Sequence, residues 1–218
     1  MPESINPRAN LLASFATARF LASPYRHWLL NDALPDATLD KICSLPLEPP
    51  AIMDTQGRRE THNSSRLFFS HAQQQHFPVC AALTAALQSR DCVANLQALT
   101  GATLKGSFLR VEYCLDTDGF WLEPHTDIGA KLFTMLIYLN DAPPGEDWGT
   151  DIYDNPTQKR GPAPAGHNHG LIFVPGQNTW HGFEKRRITG VRRTLIINYV
   201  TPEWRARHEL AFPATPIA

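Results

Sequence analysis

Three side chains in this 218-residue sequence could share one divalent metal: His125, Asp127 and His181. His125-Thr126-Asp127 stands just before a strand-like stretch, Lys131–Asn140. In extended backbone, residues two apart face the same way, so this imidazole and this carboxylate can reach a metal from one side. His181 comes later, after the strand-like Gly170–Val174 and the turn Pro175-Gly176-Gln177-Asn178. Antiparallel pairing would bring it opposite the first two. Two histidines and one carboxylate on one face leave the other coordination positions open, which suits iron(II) and oxygen chemistry. With nine histidines and 21 acidic residues, one such spacing arises by chance about once. The motif gains its meaning from the elements around it.

Those elements change character at Gly101. Upstream, residues 1–50 read as a helical start, a short strand Tyr25–Leu30, and a helix after Leu34-Pro35-Asp36 with Asp36 as its N-cap. A loop, LPLEPPAIMD, and a polar stretch follow, closing in Leu67-Phe68-Phe69 as an edge strand. Phe77, Cys80, Leu83, Leu87, Leu96 and Leu99 then form one helical face, in two pieces broken near Asp91. Downstream, Phe108–Leu115, Lys131–Asn140, Asp151–Asp154, Gly170–Val174 and Arg192–Val200 are short, β-rich and bounded by turn residues. Helices first and antiparallel strands afterwards predict an α+β chain with a sandwich or jelly roll in its C-terminal half.

The last strand carries a second chemical group. Alternation puts Arg192, Thr194 and Ile196 on one face and Arg193, Leu195 and Ile197 on the other. Both faces hold aliphatic residues, so the strand is largely buried and an arginine in it needs a partner. A guanidinium can grip a carboxylate through two parallel hydrogen bonds, and a hydroxyl two residues on can add a third. Tyr138, in Leu136-Ile137-Tyr138-Leu139-Asn140, offers a phenol at matching depth. An ion pair between Arg192 and an acidic side chain is the other reading of the same arginine.

In order and spacing this pattern resembles the 2-oxoglutarate- and iron(II)-dependent oxygenase superfamily, especially its prolyl-hydroxylase-like branch. The resemblance spans residues 105–205 and rests on Tyr113, His125-Thr126-Asp127, Tyr138-Leu139-Asn140, Gly149-Thr150-Asp151-Ile152-Tyr153, His181 and Arg192-Arg193-Thr194-Leu195. It implies that His125, Asp127 and His181 are metal ligands and supply the catalytic machinery. Arg192 would hold the distal carboxylate of 2-oxoglutarate, assisted by Thr194, Tyr138 and Tyr113. Asn63 and Arg66, in a lid reaching over the metal, and Trp121 would contact substrate. The implied fold is a double-stranded β-helix (jelly roll) with N-terminal helices packed on one sheet. That makes a single domain over 1–218, with a mixed part to about residue 100 and the core at about 101–205. Two features depart from the pattern: Trp148-Gly149 stands where two glycines are common, and two adjacent arginines compete for the anchor. Parity with Thr194 selects Arg192.

The implied cofactors are iron(II), 2-oxoglutarate and dioxygen, and the implied reaction is hydroxylation of a C–H bond, with succinate and carbon dioxide as co-products. Asp127 stands where halogenating relatives lack a carboxylate, so hydroxylation is favoured. A cupin-like metalloenzyme without 2-oxoglutarate and a catalytically silent binding protein are the alternatives. Composition narrows the partners: a net charge of −1 sets up no field for nucleic acid or acidic lipid, and no apolar stretch approaches a membrane span. A small molecule, amino-acid or sugar-type substrate is expected. Lys185-Arg186-Arg187 reads as the flank of a hairpin turn, and His167-Asn168-His169 as a polar turn rather than a second metal site. Cys43, Cys80, Cys92 and Cys114 form no CxxC pair, which predicts buried thiols. Without a basic start and apolar run at the N-terminus, a cytoplasmic location is expected.

Overall fold

Apolar alternation after Gly101 resolves into two antiparallel sheets, in a computed structural model that describes residues 6–58, 66–141 and 147–218. In chain order the elements are α1 (Arg8–Ala16), β1 (Arg19–Leu21), β2 (His27–Leu30), α2 (Asp36–Cys43), β3 (Arg66–Phe68), α3 (His71–His76), α4 (Pro78–Gln88) and α5 (Arg90–Thr100). Then come β4 (Phe108–Asp116), β5 (Leu122–His125), β6 (Lys131–Tyr138), β7 (Asp151–Asn155), β8 (Gln158–Pro162), β9 (His169–Phe173), β10 (His181–Phe183) and β11 (Arg192–Val200), with a 3-10 turn at Arg207–Glu209.

Local chemistry sets the helix ends. The Ser70 hydroxyl accepts the Gln73 N–H at the start of α3, a side-chain N-cap. Pro78 opens α4, where its missing N–H is not needed. The expected break near Asp91 falls at Ser89, which is extended (ψ 145°) and separates α4 from α5. Gly101 then stops α5 in the left-handed region at φ +78°. Asp36 sits inside the first turn of α2, and extended Pro35 takes the cap position; the carboxylate faces the positive end of the helix dipole instead of capping it.

The larger sheet runs β1-β2-β9-β6-β11-β4-β3 and the smaller β5-β10-β7-β8. From β4 to β11 the chain passes back and forth between them: β4, β6, β9 and β11 lie in the larger, and β5, β7, β8 and β10 in the smaller. The segment expected as an edge strand is β3, at the sheet's end. Helical residues Leu83, Leu87 and Leu96 pack on Val111, Phe133, Leu195 and Ile197 in the main core. The opposite face of the sheet, with Leu136, Tyr138, Leu171 and Phe173, packs on Ile152 and Ala163. Alternation along β4, β6 and β11 therefore separates a helix-facing core from an interior between the sheets.

Four strands lie outside the sequence expectation: β1, β5, β8 and β10. Leu122-Glu-Pro-His125, Gln158-Lys-Arg-Gly-Pro162 and His181-Gly-Phe183 lack apolar alternation. They earn their place through pairing with neighbours, which propensity does not report. Cys80, Cys92 and Cys114 are buried and unpaired as expected, whereas Cys43 is exposed, a correction that follows from its place as the last residue of α2.

Gly149 is required by close approach. A Cβ there would stand 1.9 Å from the Ala163 carbonyl oxygen, whereas one at Gly129 would meet nothing within 4 Å. Gly149→Ala should lower stability by about 1–3 kcal/mol or more, while Gly129→Ala stays near neutral. Urea unfolding midpoints of the two variants compare them directly, and equal midpoints contradict this account.

Candidate metal centre

β10 lies between β5 and β7, and its pairing with β5 sets His181 directly opposite His125. Their ring centroids are 4.4 Å apart. Each imidazole is held by the same device: His125 Nδ1 bonds the Glu123 carbonyl at 2.7 Å, and His181 Nδ1 the Thr179 carbonyl at 2.9 Å. A carbonyl only accepts, so Nδ1 carries the proton and Nε2 presents its lone pair. Asp127 follows β5, and its two oxygens take separate donors, Lys131 Nζ at 2.6 Å and Thr134 Oγ1 at 2.7 Å. One ligand atom from each of His125, Asp127 and His181 lies within 4.8 Å of the others.

The electrostatics set both charge states. Burial alone would raise the Asp127 carboxyl, but Lys131, His181 and the two hydrogen bonds outweigh it and hold it at about 2. Burial lowers His181 to about 4; Asp127 opposes this, and His125 adds to it. At neutral pH the centre therefore offers an ionised carboxylate and a neutral buried imidazole, the forms that bind a metal.

A cavity of about 620 Å³ opens from this centre into the interior. Leu136, Thr150, Ile196, Phe183 and Arg192 line its deeper part. Arg192 is 2% exposed; its Nε donates to the Trp148 carbonyl at 2.7 Å and its Nη1 to Asp116 at 2.6 Å. The Tyr138 hydroxyl donates to Thr150 Oγ1 at 2.8 Å. Thr194 is fully buried, and its hydroxyl has no hydrogen-bond partner among the described residues. Leaving a buried hydroxyl unpaired costs about 1–3 kcal/mol. The chain tolerates that cost two residues along the strand from Arg192.

At the other end stands a chain of alternating charges: Arg66 pairs with Glu112, Glu112 with Arg110 at 2.7 Å, and Arg110 with Glu209 at 2.6 Å. All four line the cavity, with Trp204. Arg66, which the resemblance placed in a lid over the metal, instead opens strand β3 and lines the cavity at this charged wall. Asn63 lies outside the described residues. Trp121 is not among the lining residues; its indole packs by Gly57 and donates to Asp54. Tyr113 is a correction. Strand alternation turns it to the helix side of β4, into the main core, where it neighbours Cys43 and Arg193. The even-numbered Arg110 and Glu112 face the cavity instead. Arg193 likewise points away from Arg192, as parity predicted.

Sequence reasoning overlooked Lys131, Thr134, Thr150, Asp116 and the Arg110–Glu112–Glu209 chain. Strand parity could have found Arg110 and Glu112, since they share a face with Asp116; the others needed the fold. His167 is on the surface, 3.7 Å from Asp141, and His169 opens β9. In the basic run, Lys185 pairs with Asp54 and Arg186 with Asp151.

The centre makes the metal-free chain acid-sensitive. His181 is held below its ordinary value, so the unfolded chain takes up the proton first. Its contribution is intact above about pH 6.5 and is lost as pH falls toward 4, a loss of about 3 kcal/mol. Asp127 acts with the same sign further down, between its ordinary 3.8 and about 2. Melting temperatures in chelator should fall between pH 7 and 4, and His181→Leu should flatten that limb. An equal slope in the variant assigns the acid loss elsewhere.

No protein-family model matches the sequence, and no curated protein matches it either. Solved structures do. A prolyl hydroxylase from Trichoplax adhaerens, in complex with a hypoxia inducible factor oxygen degradation domain peptide fragment, is similar at TM-score 0.58 and 12% identity, over 91% of each chain. A 2OG-Fe(II) oxygenase family oxidoreductase from Burkholderia pseudomallei gives 0.55 and 16%, over 88% of this chain and 90% of that one. A Pseudomonas putida prolyl-4-hydroxylase gives 0.52 and 15%, over 92% and 97%. At such identities the likeness is one of fold alone: this chain folds like these prolyl hydroxylases and this 2OG-Fe(II) oxygenase family protein.

Proposed function

We propose that the protein is a non-haem iron(II), 2-oxoglutarate-dependent dioxygenase that hydroxylates a small-molecule, amino-acid or sugar-type substrate. The observation that carries this reading is the shared cavity: His125, Asp127 and His181 converge on one side of it, and buried Arg192 lines its depth. The back-and-forth order of β4 to β11 between the sheets supports the finer description of the fold as a double-stranded β-helix, a single oxygenase domain.

The residues present fit the proposed groups. Two Nε2 atoms and a carboxylate are the donor set for a divalent first-row metal with open positions. The unpartnered Thr194 hydroxyl beside Arg192 fits a buried acceptor such as a carboxylate. When bound, iron(II) with 2-oxoglutarate and dioxygen would supply oxidative decarboxylation to succinate and carbon dioxide, with one oxygen atom passing to a substrate C–H. The chain's own part is positioning. Lys131 and Thr134 keep the Asp127 carboxylate ionised and aimed, and the two backbone carbonyls fix the imidazoles. Leu136, Ile196 and Phe183 give the cavity an apolar wall that excludes water from the reacting atoms. Arg192 would hold the distal carboxylate with Thr194 and Tyr138, and Arg66 would contact substrate at the mouth.

One observation favours a second reading, a metalloenzyme of this fold without 2-oxoglutarate. Arg192 already pairs with Asp116, so it is explicable as a structural ion pair.

Anaerobic iron(II) and 2-oxoglutarate should together give a weak visible charge-transfer band in the wild type, absent in His125→Ala. Retention of one iron per chain by that variant and by His181→Ala would remove the metal site.

Arg192 decides between the readings. Arg192→Lys keeps a charge beside Asp116 but loses the planar fork. It should weaken 2-oxoglutarate binding about tenfold or more, with iron retention unchanged, while Arg193→Lys stays near wild type. Measurable and equal 2-oxoglutarate affinity in all three proteins removes Arg192 as the anchor, and absence of binding in the wild type selects the second reading.

A further inference from the structure

The charged wall of the cavity is built in two tiers. Arg110 and Glu112 form the inner tier, with side chains 4% and 2% exposed, and pair at 2.7 Å. Arg66 and Glu209 form the outer tier, at 10% and 15%. Each outer group is held by an inner group of opposite sign: Arg66 by Glu112, and Glu209 by Arg110. The Phe68 and Trp204 rings lie 4.8 and 5.2 Å from the Arg110 guanidinium carbon and steady the inner tier. One cation and one anion are thus presented to the same cavity. Both keep capacity for a ligand. Arg110 bonds Glu209 through Oε2, and Oε1 has no donor among the described residues. Arg66 reaches Glu112 through Nε, one of the five N–H groups of a guanidinium. Apolar residues of similar volume often stabilise a fold as well as buried charges do, so the wall points to a ligand.

The sheet register places this wall relative to the metal ligands. Thr134, which donates to Asp127, lies opposite Asn198 on β11, and Asn198 lies opposite Arg110 on β4. Leu136, Ile196 and Glu112 repeat the same crossing two residues away. Strands in a sheet stand about 4.8 Å apart, so the wall is about 10 Å across the sheet from the strand that steadies Asp127. Leu136 and Ile196 make the path between them apolar. A molecule that matches these surfaces in order carries both charges at one end and a short aliphatic part directed at the metal ligands.

We propose that the substrate is a free aliphatic α-amino acid: Arg66 receives its carboxylate, Glu209 receives its ammonium group, and its side chain lies along Leu136 and Ile196 toward His125, Asp127 and His181. This rests on the reading of the site as that of a 2-oxoglutarate-dependent oxygenase. The same wall selects against a peptide. Within a chain both charges are lost to amide bonds, and the two outer groups would face neutral atoms.

The test is calorimetric binding to manganese(II)-loaded wild type, first of 2-oxoglutarate and then of L-valine, L-leucine and L-isoleucine. The tightest of the three is compared with its α-amide, which keeps only the ammonium group, and with the deaminated acid, which keeps only the carboxylate. The free amino acid should bind about tenfold or more tighter than either singly charged form. Glu209→Gln should bring it down to the affinity of the deaminated acid and leave that acid unchanged, with 2-oxoglutarate binding reporting that the variant is folded. If the variant does not fold, the comparison of the three ligands on the wild type decides. If the free amino acid and its singly charged forms bind alike, the wall is a structural ion-pair network and the proposal is overturned. Absence of amino-acid binding by a protein that takes up 2-oxoglutarate overturns it too. If the wild type takes up no 2-oxoglutarate, the reading of the site fails first, and this inference with it.

Discussion

The antiparallel seating of β11 between β4 and β6 is the constraint on which the site depends. Nine residues pair along β4, from Arg192 opposite Asp116 to Val200 opposite Phe108. The same strand sets Thr194 opposite Tyr138 and Asn198 opposite Thr134. A slip of one residue would turn every side chain to the other face. Leu195 and Ile197 would leave the helix-facing core, and Arg192 would leave the interior. Because Leu195, Ile197 and Tyr199 lie in the main core, the apolar burial that stabilises the domain also fixes the register of the polar residues behind it. Tyr199 adds a hydrogen bond from its hydroxyl to the Leu87 carbonyl at 2.6 Å, tying this strand to α4.

From that register a row of polar groups crosses the interior. Asn198 donates to Thr134 Oγ1 at 3.0 Å, and Thr134 donates to Asp127. Arg110 reaches Asn198 at 3.3 Å as well as Glu112 and Glu209. The carboxylate of the candidate metal centre is thus linked through two side chains to the charged wall of the cavity. Charges this deeply buried are stable only when paired and hydrogen-bonded. Arg192 with Asp116 and Arg110 with Glu112 meet that condition at opposite ends of β4 and β11. Between them lie Leu136 and Ile196, so the cavity is polar at both ends and apolar in the middle.

The smaller sheet contributes differently. Its strands are short, and their value lies in exact opposition: His125 against His181, with β7 on the far side of β10. Gly182 makes the approach possible, since a Cβ there would stand 2.9 Å from the Leu122 carbonyl oxygen. The fold brings the two histidines together by backbone pairing, and carbonyls two residues upstream then orient each ring.

By itself the sequence determined which residue types could meet and which faces they would take. Period-two patterning foretold β4, β6, β7, β9 and β11, and the parity of Arg192 with Thr194 over Arg193. The helical face in two pieces was equally legible. These readings worked because each rests on local periodicity, which burial on one or both faces imposes directly on the sequence. Parity applied to Tyr113 would also have excluded it, since Arg110, Glu112 and Asp116 share the opposite face; family resemblance placed it at the site instead. Tertiary structure alone decided the rest: the strands β5, β8 and β10, the Arg192–Asp116 pair, the Lys131 and Thr134 bonds to Asp127, and the arrival of Glu209 at the cavity wall. Each depends on contacts between segments far apart in the chain. Such contacts are fixed by the order in which strands pair across two sheets, and a one-dimensional pattern carries the preference of a residue for a face but not the identity of what it will face.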